Sequence, residues 1–130
     1  MTRPTILCVD DDPLVLASLI AQLRGAFGAS VALETAACAE LALEVVEELR
    51  ADGESLVVIV SDWLMPGVRG DELLAHVHGR HPEAMKVLLT GQADEASIER
   101  VRREVPVVAC LAKPWREDDL VRIIRKELAL

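Results

Sequence analysis

Four short apolar runs, each leading into a residue capable of chemistry, constrain this chain more than any other feature. Ile6-Leu7-Cys8-Val9 leads into Asp10-Asp11-Asp12, and Leu56-Val57-Val58-Ile59-Val60 into Ser61-Asp62. Val87-Leu88-Leu89 runs into Thr90-Gly91, and Val107-Val108-Ala109-Cys110-Leu111 into Lys113-Pro114. Runs this apolar read as strands covered on both faces, the situation that parallel βα crossovers create. In an open α/β sheet, ligands bind beyond the carboxyl ends of the strands. Carboxylates, a hydroxyl and an ammonium all fall at such ends here.

Helical periods fill the intervals. A helix from Pro13 carries Leu16, Leu19, Ile20, Leu23 and Phe27 on one face, with Gly25 and Gly28 expected to close it. Ser30–Ala36 alternates as an edge strand. A second helix over about Ala39–Arg50 turns Ala42, Val45, Val46 and Leu49 inward, and a third over about Asp71–His78 carries Leu73, Leu74 and Val77. Pro82 ends that region before the Lys86–Leu89 strand. Asp94 is expected to cap a helix bearing Ile98, Val101 and Val105. The last helix, about Glu117–Leu128, buries Leu120, Ile123, Ile124 and Leu128. Strand and helix thus alternate five times, giving a doubly wound α/β sheet with helices on both faces.

At 130 residues there is room for one domain, residues 1–130, and one core. Aromatics are only 2%, so that core is aliphatic. A formal net charge of −8 lacks the basic footprint of direct nucleic-acid binding. No apolar stretch approaches the ~20 residues of a membrane span, and the N-terminus lacks a signal-peptide pattern. Met1 is therefore expected to be the true start, and the protein cytoplasmic. Cys8, Cys38 and Cys110 lie too far apart for zinc spacings, and an odd count opposes a disulfide framework.

Some of these polar residues also have an ordinary explanation. Asp12 before Pro13 is a good helix N-cap. Asp10 and Asp11 have no such role and repel each other unless protonated or neutralised by a cation. Oxygen ligands of this kind suit Mg²⁺. A single Asp at a strand end is more often a turn former than a nucleophile, but convergence of several strand ends makes Asp62 the better nucleophile. Thr90 beside Gly91 offers a hydroxyl with open space next to it. Lys113, held before Pro114, offers an ammonium, with a cis bond as one way of fixing its direction. Together these groups suit a phosphoryl group facing Mg²⁺ on its other side. His76, His78 and His81 read as residues that suit a helix C-terminus rather than as a metal site. Trp63 is expected to be partly exposed beside Asp62.

With these residues in view, the chain resembles a response-regulator receiver domain of two-component signalling, CheY-like, over essentially its whole length. ILCVDDDPLVL is similar to the family's first strand and acidic pair, SDWLMPGVRGDELL to its phosphoacceptor strand and loop, VLLTG to the switch hydroxyl and LAKPW to the lysine motif. The resemblance implies a flavodoxin-like (βα)5 fold with strand order 2-1-3-4-5. It also implies transfer of a phosphoryl group from a phosphohistidine of a sensor histidine kinase or phosphotransfer protein onto Asp62. Asp11, Asp62 and the Leu64 backbone carbonyl would ligate Mg²⁺ directly, and Asp10 would act through water. Thr90 and Lys113 would hold phosphoryl oxygens. Such a domain is a signalling phosphoacceptor that assists its own phosphorylation and dephosphorylation, rather than an enzyme acting on an outside substrate.

In much of that family an aromatic residue lies three positions before the lysine. Here that position is Cys110, and the chain has no Tyr. The family's output face, formed by the fourth helix, fifth strand and fifth helix, would here offer Arg100, Arg102, Arg103, Trp115 and Arg116 as anchors to an output domain or target, and the arginines equally read as a solvated helix face.

Two other classes compete. Asp10-Asp11-Asp12 contains the Asp-x-Asp spacing of haloacid-dehalogenase-like phosphatases, which would make Asp10 the nucleophile. Against this stand Pro13, which makes Asp12 a cap, the short chain, and the helix-start position of Asp118-Asp119. A receiver fold kept only as a binding module would not need Asp10, Asp11, Asp62, Thr90 and Lys113 together.

Overall fold

The computed structural model describes residues 3–91, 95–105 and 109–128, with the backbone alone at Ser97. In chain order the elements are β1 (Thr5–Val9), α1 (Pro13–Phe27), a 3-10 turn (Gly28–Ser30), β2 (Ala32–Ala36), α2 (Ala39–Ala51) and β3 (Leu56–Asp62). There follow α3 (Gly70–Arg80), β4 (Met85–Thr90), α4 (Glu95–Glu104), β5 (Ala109–Ala112) and α5 (Glu117–Leu128). The five strands form one parallel sheet in the order β2-β1-β3-β4-β5. This is the doubly wound α/β, flavodoxin-like architecture expected from the sequence.

Alternation along each strand sends successive side chains to opposite faces, building two cores. On one face Leu7, Val9, Ile59 and Leu88 pack against Ala42 and Val46 of α2, Leu73, Leu74 and Val77 of α3, and Val101 of α4. On the other, Ile6, Cys8, Val58, Val60, Val87 and Leu89 meet Leu19, Leu23 and Phe27 of α1 and Leu120 and Ile124 of α5. Arg125 stacks over the Phe27 ring, 5.4 Å from its centroid, tying α5 to α1.

Several boundaries differ from expectation. Asp12 caps α1 as foreseen, its carboxylate accepting the Leu14 N–H at 2.9 Å. Gly28, at φ 55°, ends the helix, whereas Gly25 lies inside it. The turn at Gly28–Ser30 delays β2 to Ala32, and α3 runs from Gly70 to Arg80. Asp94 as a cap, and Val107 and Val108 as the start of the fifth strand, lie outside the described residues. The expectation that no stretch approaches a membrane span needs correction. Pro13–Ser30 has a mean hydropathy of 1.2 over 18 residues, enough by length and composition alone. In the fold this segment is α1 and the turn that follows it, with Leu19, Leu23 and Phe27 buried on the sheet.

Candidate functional site

Parallel strands end at one pole of the sheet, so their C-terminal residues meet there. Asp10 follows β1, Asp62 closes the neighbouring β3, Thr90 closes β4, and Lys113 follows β5. The backbone continues the sheet past these ends: Trp63 N–H donates to Leu89 O at 2.9 Å and Lys113 N–H to Thr90 O at 2.8 Å. The second contact fixes the backbone from which the Lys113 side chain reaches the pole.

Lys113 Nζ lies 2.9 Å from Asp10 Oδ2 and 3.0 Å from Asp62 Oδ1. The other Asp10 oxygen accepts the Asp12 N–H at 2.9 Å, which folds the acidic loop back on itself. Asp10 is wholly buried, Asp62 and Thr90 are nearly so, and Asp11 is exposed. One carboxylate oxygen from each of Asp10, Asp11 and Asp62 lies within 4.8 Å of the others, a group that could hold a metal ion. The donor set is all oxygen, with one arm open to solvent, which fits a hard, partly hydrated divalent cation. The Lys113–Pro114 peptide is cis.

Electrostatics at the pole follow from burial and crowding. Burial pushes the Asp62 carboxyl up, the Lys113 hydrogen bond opposes this, and the charges of Asp10 and Asp11 add to the rise. Burial alone would lower the Lys113 ammonium, but hydrogen bonds and charge from both Asp10 and Asp62 more than offset it and leave it raised. The two shifts share a direction because burial, aided by two like charges, outweighs the one ammonium at Asp62, while at Lys113 two carboxylates outweigh burial. A divalent cation among the three carboxylates would favour the ionised form of Asp62.

Residues 6–125 match the family of the response regulator receiver domain. The chain belongs to this family. Its curated relatives include the positive alginate biosynthesis regulatory protein of Pseudomonas aeruginosa, 32% identical over 124 residues, covering 93% of this chain and 46% of that protein. The sensor kinase CckA of Brucella abortus is 28% identical over 127 residues, covering 95% of this chain and 12% of the kinase. Among solved structures, the signal receiver domain of an HD domain-containing protein from Pseudomonas fluorescens Pf-5 superposes with a TM-score of 0.84 at 28% identity, covering 98% of this chain and 95% of that one. The chain spans less than half the length of the curated relatives it matches. It is a receiver domain of the two-component response regulators, a signalling domain.

The receiver's structure brings together Asp10, Asp11, Asp62, Thr90 and Lys113, all of which the sequence singled out. Leu64 lies in the loop after β3 with its side chain largely exposed, as is that of Leu14 at the start of α1. Trp63 is not partly exposed, as expected, but buried in the core on the α2–α3 face. Gly70 N–H donates to Trp63 O at 2.7 Å, closing the loop over it.

Trp115 is a second correction. Its indole N–H donates to Gln22 Oε1 at 2.8 Å and its ring packs with the α1–α5 core, so it faces α1 rather than the α4 surface. Arg100, Arg102, Arg103 and Arg116 are exposed. Arg102 lines a cavity of about 440 Å³ with Glu95, Ile98, Glu99 and Cys110, at the position that is aromatic in much of the family. The histidines form no metal site among the described residues. His81 is buried beside Glu83, with Nδ1 3.8 Å from its carboxylate.

Two buried positions were not picked out from the sequence, one beside the site and one at the far end of β4. Lys86 is fully buried in β4, and Gly70 is pressed against the backbone of Asp62. The strand alternation carried a signal for the first: Lys86 shares a face with Leu88 and Thr90.

Proposed function

We propose that this receiver takes a phosphoryl group onto Asp62 from a phosphohistidine of a sensor histidine kinase or phosphotransfer protein. Asp62 attacks phosphorus, a P–O bond forms, the P–N bond breaks, and the histidine leaves with the electron pair. The observation that carries this reading is Lys113 held against both Asp62 and Asp10 at the carboxyl pole of the sheet. An ammonium already 3.0 Å from the acceptor oxygen is well placed to follow negative charge as it moves onto the phosphoryl oxygens.

Asp11, Asp62 and the Leu64 carbonyl would hold Mg²⁺, with Asp10 acting through water. When bound, Mg²⁺ supplies the positive charge that offsets repulsion between phosphate and three carboxylates. Thr90 supplies the remaining donor to the phosphoryl group, from the end of the strand next to Asp62. Leu14, two residues after Asp12, and Leu64, two after Asp62, are exposed and would give a donor protein apolar anchors near the acidic residues. The phosphorylated state then passes to an output domain or target through the α4–β5–α5 face. Cys110 stands where an aromatic residue is usual, and the movement expected on phosphorylation is that of Thr90. A cytoplasmic location accords with such a partner.

Intact mass after incubation with Mg²⁺ and acetyl phosphate tests the reading on wild type, Asp62→Asn and Asp10→Asn. One added phosphoryl group is expected in wild type, lost with EDTA and lost in Asp62→Asn. Equal phosphorylation of wild type and Asp62→Asn would sink the assignment. Phosphate release that depends on Asp10 and not on Asp62 would favour a phosphatase instead.

A further inference from the structure

We infer that Gly70 and Ser61 are positioning residues for Asp62, clamping its peptide so that the carboxylate stays on Lys113. This rests on the reading of Asp62 as phosphoacceptor.

A Cβ added to Gly70 would lie 1.9 Å from Asp62 O, 2.9 Å from Asp62 C and 3.1 Å from Ser61 Oγ. Real side-chain carbons do not approach backbone atoms within 3.0 Å. Gly70 does not occupy the left-handed region that glycine alone favours, so the requirement here is space. Three hydrogen bonds surround the same peptide. Ser61 Oγ donates to Asp62 O at 3.0 Å, Gly70 N–H donates to Trp63 O at 2.7 Å, and Trp63 N–H donates to Leu89 O at 2.9 Å.

The first turn of α3 is therefore seated directly on the last peptide of β3. The Asp62 carboxylate leaves the chain at that point, 3.0 Å from Lys113 Nζ. An alanine at position 70 must push α3 and β3 apart by roughly 1 Å, a displacement that in reacting geometries costs on the order of a hundredfold in rate. Removing the Ser61 hydroxyl leaves Asp62 O without its side-chain donor and loosens the same peptide.

The test compares wild type, Ser61→Ala and Gly70→Ala by acetyl phosphate kinetics and by crystal structures of the unphosphorylated proteins. The wild-type rate decides the receiver reading by itself, since an absent adduct would end that reading whatever the variants do. The separation of Asp62 from Lys113 decides the clamp independently of any chemistry. Expected for Gly70→Ala is a lengthened separation with a maximal rate lower on the order of a hundredfold, at unchanged half-saturation by acetyl phosphate. Ser61→Ala should move both in the same direction by a smaller, severalfold amount. An unchanged separation, or a displaced carboxylate that reacts at the wild-type rate, overturns the inference. If wild type takes no phosphoryl group, the separation alone decides. If Gly70→Ala does not fold, Ser61→Ala decides by the same criteria.

Discussion

Lys113 Nζ reaches across β4 to lie 3.0 Å from Asp62 and 2.9 Å from Asp10, on strands that β5 does not touch. The ammonium is the cation that lets two buried carboxylates share one pole.

Substituting Lys113→Met should therefore destabilise the metal-free protein. Asp10 is fully buried and would lose its charged partner, a loss of about 1–3 kcal/mol for an unsatisfied buried group. The partial exposure of Lys113 keeps the effect below that of a wholly buried pair. Urea unfolding checks this, and Mg²⁺ should restore more stability to the variant than it adds to wild type. Equal stability in the absence of Mg²⁺ would mean the ion pair contributes nothing.

Lys86 offers a pH prediction. Its side chain is fully buried in β4, with Nζ donating to Ala84 O at 2.7 Å, and burial lowers its ammonium below the ordinary 10.5 even though Glu83 opposes the shift. Between the lowered folded value and 10.5 the unfolded chain binds more protons than the native one, so stability rises with pH across that window. Lys86→Met removes a charged group from an apolar site and should stabilise the protein at neutral pH by about 1–2 kcal/mol. The same change should flatten the rise. Denaturation midpoints from neutral to alkaline pH measure both effects.

The three thiols should separate by reactivity. Cys8 is fully buried in β1 and burial pushes its thiol up to about 12, so it should stay unlabelled by a thiol reagent until the chain unfolds. Cys38, partly exposed at the start of α2, should react first in the native protein. Mass spectrometry of a time course gives the order, and early labelling of Cys8 would contradict the packing of β1.

Asp12→Ala distinguishes a cap from a catalytic acid. Losing the bond from its carboxylate to the Leu14 N–H should cost about 1 kcal/mol of stability. The acetyl phosphate adduct should form at close to the wild-type rate. A large rate loss without a stability loss would revive the phosphatase reading, in which Asp12 is a working acid.

Much of this was legible because the signals were local. Apolar runs gave the strands, and the residues just beyond them gave Asp10, Asp11, Asp62, Thr90 and Lys113. What escaped depended on tertiary packing. Trp63 is buried because it packs into the core under α2 and α3, and Trp115 packs against α1, where Gln22, 93 residues earlier, accepts its N–H. The role of Gly70 becomes visible only when α3 is seated on β3. Lys86 reads as an ordinary surface charge until strand parity puts it under the helices.

Asp10 and Lys113 are 103 residues apart in the chain, yet bonded. The proposed acceptor site draws its parts from the ends of four strands, so a fragment that lacks β5 lacks Lys113. A newly made chain would stay mute to its phosphate donor until β5 had docked. Competence to receive a signal would then double as a readout of completed folding, and a half-folded copy could not pass a false message downstream.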